Sequence, residues 1–482
     1  MNMRLILKTQ GELVLIEALL MLPALIVSLI YGDGDAMAFV WTIALMLLIG
    51  LPVHLFLKPK DKNVKMREGF MIVAGAWFVL SLFGALPFIL SGMLPRFVDA
   101  FFESVSGFST TGATVLRDFS NLPRGMMLWR SFTQWVGGMG ILVFTLAILP
   151  KVTGRAALLA KAESPGPSMS KLVPKMGDTA KILYIIYGGM TVAVILALLA
   201  AGMSFYDAVI HGLGTAGTGG FSNYAQSIGH FTSPVIHWII TIFMLLFGIN
   251  FAVYYKIALG SWKDALHTEE LHWFAAIVLV CIILIVIIIT PVYGSLPTAI
   301  DEGAFQVSSI ITTTAYATAD FNLWPEAAKM ILLFVMFIGG CAGSTAGGLK
   351  VVRFGILLKA AQRTIRQTFQ PRKTQVVRFE DKGLEESLLF NVAIYFFLYC
   401  GLMFLGAALI SLDGVHDFTT NVTAAIACVN NVGPGFSMVG PAGNFAGYSD
   451  FSKIILSLLM LAGRLEIFPL LILISPAAWR GQ

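Results

Sequence analysis

The stretch DAFFESVSGFSTTGATV, residues 99–115, decides the architecture because three later stretches repeat its pattern. They read DAVIHGLGTAGTGGFS (207–222), EGAFQVSSIITTTAYAT (302–318) and TNVTAAIACVNNVGPGF (420–436). Each opens on an acid or another residue that suits a helix N-terminus. A small residue follows 13 positions later in all four, namely Gly112, Gly220, Ala315 and Gly433. This interval predicts a helix of about three turns followed by extended chain.

The chain around these stretches is apolar enough for lipid. It is 57% hydrophobic and 12% charged, whereas soluble domains carry about 25% charged residues. Ten segments are long enough to cross a hydrocarbon core of ~30 Å: 12–31, 37–57, 68–92, 125–150, 181–202, 232–258, 270–294, 327–358, 387–411 and 452–477. Two of them precede the first helix–loop–helix unit, and the other eight flank the four loops in pairs.

Non-helical backbone at membrane depth must be buried in protein or line a watery cavity. We therefore predict an all-α integral membrane protein with four helix–pore loop–helix repeats around a pseudo-fourfold pore, preceded by two extra transmembrane helices. The alternative is four external loops that dip slightly, which the constant interval and the Thr and Gly content disfavour. The predicted segments are 1–60 (extension), 61–160, 161–262, 263–382 (with a gating loop and a basic cytoplasmic linker) and 383–482.

Most of the 32 Lys and Arg residues fall on one side of the predicted membrane. The positive-inside rule then places both termini in the cytoplasm. Because topology accounts for the basic charge, we predict no nucleic-acid partner.

The loop chemistry suits a cation that exchanges its water shell for protein oxygens. Backbone carbonyls and threonine hydroxyls supply such oxygens, and the absence of an acid ring favours a large monovalent ion over calcium or magnesium. The candidate filter residues are Thr110, Thr111, Gly112, Thr218, Gly219, Gly220, Thr313, Thr314, Ala315, Asn431, Val432 and Gly433.

Two features in the later spans are candidates for a gate. A small-residue stretch interrupts the span 327–358, and Arg464 is a basic residue inside the last span, where charge is costly. The stretch could instead be a G-x-x-x-G helix-packing face, which the sequence alone slightly favours, and Arg464 could equally belong to a buried ion pair. The candidate gate residues are Gly339, Gly340, Gly343, Ser344, Thr345, Gly347, Gly348, Lys350 and Arg464.

The four loops, GGCAGSTAGGLK (339–350) and GRLEIF (463–468) resemble the TrkH/KtrB superfamily of bacterial potassium-translocating proteins along the whole chain. The resemblance implies one filter glycine per repeat, an intramembrane gating loop at 339–350 and a pore-facing arginine at Arg464. Ala315 departs from the glycine pattern. Left-handed alanine costs roughly 1–2 kcal/mol, so either local packing holds it there or that strand is less regular.

The resemblance also implies gated potassium uptake across the bacterial inner membrane, with K⁺ as the permeating ion and no organic cofactor. It implies a homodimer in membrane lipid and a cytoplasmic TrkA-like nucleotide-binding ring that binds ATP/ADP or NAD(H). The alternative is a secondary transporter that couples K⁺ to H⁺ or Na⁺, which the fourfold repeat and the scarcity of midplane carboxylates disfavour. Enzyme activity is not expected, because the common catalytic motifs are missing from the sequence.

Overall fold

The computed structural model describes residues 2–59, 66–140, 176–371, 375–380, 382–467 and 469–471, and these are mostly helical. The N-terminal extension consists of α1 (Met3–Leu20), α2 (Leu22–Tyr31) and α3 (Ala36–Phe56). Repeat 1 follows with α4 (Met66–Gly84), α5 (Leu86–Leu90), α6 (Phe97–Phe108) and α7 (Arg124–Gly138). Repeat 2 contains α8 (Met176–Ala200), α9 (Phe205–Gly217), α10 (Pro234–Phe247), α11 (Phe251–Ala258) and α12 (Trp262–Leu266).

The second half of the chain repeats this order. Repeat 3 contains α13 (Glu269–Tyr293), α14 (Leu296–Ile311), α15 (Glu326–Ile338) and α16 (Val351–Phe369). A short antiparallel hairpin follows, in which β1 (Arg378–Phe379) pairs with β2 (Lys382–Gly383). Repeat 4 contains α17 (Glu386–Ile410), α18 (Phe418–Asn430) and α19 (Asp450–Arg464).

Six helices or helix pairs among the described residues are long and apolar enough to cross a membrane. They are Met3–Tyr31, Ala36–Phe56, Glu68–Leu90, Lys181–Ala200, Glu269–Tyr293 and Glu386–Asp413. These are the two extra helices and the first helix of every repeat. The predicted helix–loop–helix order is therefore present, and the short pore helices α6, α9, α14 and α18 lie between the longer elements.

The second helix of each repeat differs from the prediction of an unbroken span. Helix α7 ends at Gly138, α10 at Phe247, α15 at Ile338 and α19 at Arg464. The predicted continuity was therefore wrong for 125–150, 232–258 and 452–477, while the interruption predicted within 327–358 is present. Residues 141–150 and 472–477 of these predictions lie outside the described residues.

Close backbone packing accompanies two of these breaks, at the ends of α7 and α19. A Cβ atom on Gly137 would overlap the carbonyl oxygen of Phe108, and one on Gly463 would overlap that of Val429. Phe108 and Val429 lie at the C-terminal ends of pore helices α6 and α18. Helices α7 and α19 thus meet the ends of pore helices α6 and α18 so closely that only glycine fits at the contact.

The pore helices start earlier than their sequence pattern suggested. Helix α6 begins two residues before Asp99, and α14 begins at Leu296, so that Glu302 lies inside the helix. Pro297 in the first turn of α14 favours this earlier start, because proline needs no helical hydrogen-bond acceptor there. In α9 the Ser204 hydroxyl accepts a hydrogen bond from the Asp207 amide at 3.1 Å.

Candidate ion-conducting site

The four loops that follow the pore helices share one backbone pattern. The first and third residues of each candidate triplet have positive φ, and the pairs are Thr110 (56°) and Gly112 (84°), Thr218 (52°) and Gly220 (72°), Thr313 (56°) and Ala315 (67°), and Asn431 (54°) and Gly433 (98°). Ala315 is therefore left-handed like the glycines at its equivalent positions. Of the two possibilities for this residue, the structure has the one in which local packing holds the strained conformation.

Contacts between neighbouring loops form a ring. A Cβ atom on Gly112 would overlap the carbonyl oxygen of Gly219 in repeat 2, and one on Gly220 would overlap that of Thr314 in repeat 3. On Gly433 it would lie 2.6 Å from the carbonyl oxygen of Thr111 in repeat 1. These three positions therefore admit only glycine without a shift of backbone.

One cavity joins the four repeats at this ring. Its volume is ≈ 130 Å³, and Gly112, Gly220, Ala315 and Gly433 all line it. The methyl carbon of Ala315 would lie 3.6 Å from a Cβ on Gly112. Repeats 1 and 3 therefore lie close to each other at the ring. Of the four equivalent positions, only that of Ala315 carries a methyl group, because the other three are glycine.

On three of the pore helices, a polar side chain forms hydrogen bonds with the segment that follows the triplet. Glu103 accepts hydrogen bonds from the Thr114 hydroxyl and the Val115 amide, both at 2.9 Å. His211 lies 3.0 Å from the Ser222 hydroxyl, and the Gln306 amide donates to the Ala319 carbonyl at 3.3 Å. Sequence reasoning missed these residues, although each precedes the third triplet residue by the same nine positions.

Helix α7 also braces the ring. The Gln134 side chain donates to the Gly219 carbonyl at 2.7 Å and accepts from the Phe221 amide at 3.0 Å. Arg130 forms an ion pair with Glu103 at 2.5 Å, and its guanidinium carbon lies 3.5 Å from the centre of the Phe221 ring. Both residues were missed by the sequence analysis, because nothing in α7 alone indicates its partners in repeat 2.

Residues 339–350 form a non-helical loop against the inner side of the ring. The Gly347 amide donates to the Thr313 hydroxyl at 2.7 Å, which links the loop directly to a candidate filter residue. Gly339 and Gly343 have φ values of 74° and 67°. The interpretation as a G-x-x-x-G helix-packing face was therefore wrong, because these glycines do not lie on a helix.

Two basic residues adjoin this loop. Lys350 is 5% exposed and donates to the Ala346 carbonyl. Arg464 donates to the carbonyls of Thr345 at 2.9 Å and Gly138 at 2.8 Å, and also to that of Gly137. It occupies the last position of α19 instead of the middle of a span, and there a cation complements the negative end of the helix dipole.

An acid lies two residues after Arg464 in the sequence. Glu466 forms its salt bridge with Arg353 of α16, at 2.5 Å. The structure thus brings together all four candidate triplets in one ring, and the predicted gate residues of 339–350 with Arg464 beneath it.

Comparisons with known proteins agree with this arrangement. Residues 36–480 match the TrkH family, described as cation transport protein. The chain is 38% identical over 490 residues to the Trk system potassium uptake protein TrkH of Salmonella typhimurium and 39% identical over 489 residues to that of Escherichia coli K12. Both alignments cover 100% of each chain.

A solved structure extends the likeness to the fold. The crystal structure of the potassium transporter TrkH from Vibrio parahaemolyticus superposes with a TM-score of 0.90 at 34% sequence identity, covering 100% of both chains. Sequence identity and structural similarity thus both extend over the full length of the two chains. The chain belongs to the TrkH family of cation transport proteins.

Proposed function

We propose that this chain takes up potassium across the bacterial inner membrane by gated, channel-like permeation through the ring of four loops. The observation that carries the proposal is the single cavity of ≈ 130 Å³ that Gly112, Gly220, Ala315 and Gly433 line together. The names of its relatives, which are potassium uptake proteins, support potassium as the ion.

The proposed filter works by replacing the hydration shell of the ion with protein oxygens. The oxygen donors come from the triplets Thr110–Gly112, Thr218–Gly220, Thr313–Ala315 and Asn431–Gly433. Each pore helix ends one or two positions before the first residue of its triplet, so its partly negative end favours a cation there. The cavity lining includes Arg117 and Arg130 but no acid among the described residues, which fits a monovalent ion better than a divalent one.

The proposed gate is the loop 339–350 together with Arg464. The loop contacts Thr313 through Gly347, and Arg464 contacts the loop through the Thr345 carbonyl. A guanidinium a few Å from the ion path repels a cation by several kcal/mol at an effective dielectric of ~20. Opening then requires the loop and Arg464 to withdraw together, with Lys350 at the point where the loop joins α16.

The proposed regulator is a cytoplasmic nucleotide-binding partner that acts on α16, in a homodimer with both termini in the cytoplasm. Helix α16 continues directly from the loop and carries Arg363 and Arg366, together with an exposed Phe369. Arg363 pairs with Glu386 of α17. Arg372 and Lys373, which we also assign to this basic surface, lie outside the described residues. Contact of this surface with lipid headgroups alone is the competing interpretation.

The test is ion flux into liposomes that contain the purified protein. Potassium and rubidium should enter more readily than sodium and lithium, because a carbonyl ring suits large monovalent ions. Equal flux of all four ions would contradict the filter. Flux that requires an imposed proton or sodium gradient would contradict the channel mechanism and favour coupled transport of K⁺ with H⁺ or Na⁺.

A further inference from the structure

Glu270 connects the loop 339–350 to a helix that takes no part in the ring. It is the second residue of α13 and is 3% exposed. Its carboxylate accepts a hydrogen bond from the Ala342 amide at 2.6 Å. The side chain of Asn250, in the break between α10 and α11, forms a further hydrogen bond with Glu270. A buried carboxylate therefore joins three segments of the chain.

The loop also fits against the break in repeat 2 through neutral hydrogen bonds. The Cys341 amide donates to the Gly248 carbonyl at 2.9 Å, and the Phe251 amide donates to the Gly343 carbonyl at 3.0 Å. The Thr345 hydroxyl donates to the Phe247 carbonyl at 3.2 Å. The loop of repeat 3 is thus attached to repeat 2 along residues 341–345. Through Glu270 it is also attached to α13 of its own repeat.

The preceding residue, Glu269, faces a different partner. Its carboxylate accepts from the Glu380 amide at 2.9 Å and from the Trp273 indole at 3.1 Å, and it pairs with Lys359 of α16. Two adjacent acids in the first turn of α13 therefore hold different elements. Glu269 holds the cytoplasmic hairpin and α16, and Glu270 holds the loop beneath the ring.

We propose that Glu270 is a positioning residue. By accepting a hydrogen bond from the Ala342 amide, it keeps the loop 339–350 in the position that obstructs the pore. The inference rests on the proposed gate and names the attachment on which that gate depends. Removing the acceptor leaves a buried amide without its partner, so the loop leaves its observed position more often.

The experiment compares two substitutions of similar size at this position. Glu270→Gln keeps a side-chain oxygen that accepts the Ala342 amide, whereas Glu270→Leu removes it. Potassium flux into liposomes without a partner protein should rise about tenfold in Glu270→Leu and stay at the parental level in Glu270→Gln. Glu326→Leu is the matched control, because it removes an exposed acid from the first turn of another helix, α15, and its flux should equal that of the parent.

Hydrogen–deuterium exchange gives a second measurement that does not depend on ion flux. The peptide that contains Ala342 should exchange faster in Glu270→Leu than in the parent or in Glu270→Gln. If Glu270→Leu does not insert, Glu270→Asp replaces it, because a carboxylate shorter by one methylene loses its reach to the amide. Parental flux and parental exchange in the inserted variant would overturn the proposal.

Arg464→Ala, measured in the same assay, separates failure of this inference from failure of the gate. If Arg464→Ala raises the flux and Glu270→Leu does not, the gate stands and Glu270 does not position it. If neither variant raises the flux although both insert, the proposed gate itself is wrong. If Glu270→Gln raises the flux as much as Glu270→Leu, the hydrogen bond is not the attachment, which also contradicts the inference.

Discussion

Two arginines adjoin the ring of loops, the buried Arg130 at the cavity and the partly buried Arg464 at the loop 339–350, and different contacts hold them. Arg130 borders the outer cavity and forms an ion pair with Glu103, in which both side chains are at most 2% exposed. Arg464 borders the loop 339–350, and its guanidinium donates hydrogen bonds to the main-chain carbonyls of Gly137, Gly138 and Thr345. Arg130 is thus anchored to an acid on a pore helix, and Arg464 links the end of α7 to the loop 339–350.

If the proposed gate is correct, this difference leads us to expect a fixed outer half around Arg130 and a movable inner half around Arg464. A buried charge that is paired with an opposite charge cannot move away without leaving its partner buried and unpaired, which is costly. A guanidinium held by carbonyls can exchange them for other oxygens, including those of water, at a smaller cost. We therefore expect substitutions in the outer half to damage the fold or the filter, and substitutions in the inner half to change the amount of ion that passes.

The largest effect is expected for Arg130→Leu. Loss of one partner of a buried ion pair costs about 3–5 kcal/mol, because Glu103 would stay buried without its counterion. The yield of inserted protein and its melting temperature should both fall sharply. Arg117→Leu is the control, since Arg117 lines the same cavity but is exposed. A parental melting temperature for Arg130→Leu would show that the outer half is not anchored by this pair.

The next effect concerns the ring itself. In Gly112→Val the new Cβ overlaps the Gly219 carbonyl oxygen, and a β-branched residue at positive φ is a genuine outlier. We expect loss of the preference for potassium over sodium, or loss of flux, in protein that still inserts. Competition between rubidium and sodium in the liposome assay measures this. Unchanged selectivity would remove Gly112 from the filter.

A smaller change, in the opposite direction, is expected in the inner half. Arg464→Ala removes the positive charge beneath the ring and should raise potassium flux without a partner protein by at least about tenfold, which corresponds to about 1.4 kcal/mol. Deletion within residues 339–348 should act in the same direction. Should both variants insert normally and conduct no faster than the parent, the movable half lies elsewhere.

The smallest effect is expected for Ala315→Gly. Glycine relieves the left-handed strain of roughly 1–2 kcal/mol but loses more conformational entropy on folding, about 0.5–1 kcal/mol. The two terms nearly cancel, so the melting temperature should change by only a few degrees. Potassium selectivity should rise modestly, because the ring then has glycine at all four third positions. A large loss of stability would mean that the methyl group is needed for packing.

The sequence located the ring well because its signals are local. The interval of 13 residues led to Gly112, Gly220, Ala315 and Gly433, and all four have the positive φ that such a turn requires. The breaks at Gly138, Phe247 and Arg464 were not foreseen, since the apolar character continues across them. At the ends of α7 and α19 the chain packs against the end of the pore helix of the same repeat, and this contact is not visible in the apolar pattern.

The supporting polar residues were missed for a related reason. Glu103 is 27 positions from Arg130, Gln134 is 85 from Gly219, and Glu270 is 72 from Ala342. A single acid near the start of an apolar helix ordinarily serves the helix dipole or faces solvent. Only the folded arrangement identifies the second segment that each of these side chains holds.

The four repeats lie in one polypeptide, and this permits an asymmetry that an assembly of identical subunits cannot have. In a homotetramer every substitution appears four times around the axis, so one guanidinium would become four like charges in the same narrow passage. Here Arg464 comes from repeat 4 alone and the loop 339–350 from repeat 3 alone. Because the four repeats share one chain, each quarter of the ring can change independently, and one quarter can carry a charge or an extra loop while the others keep the common loop geometry.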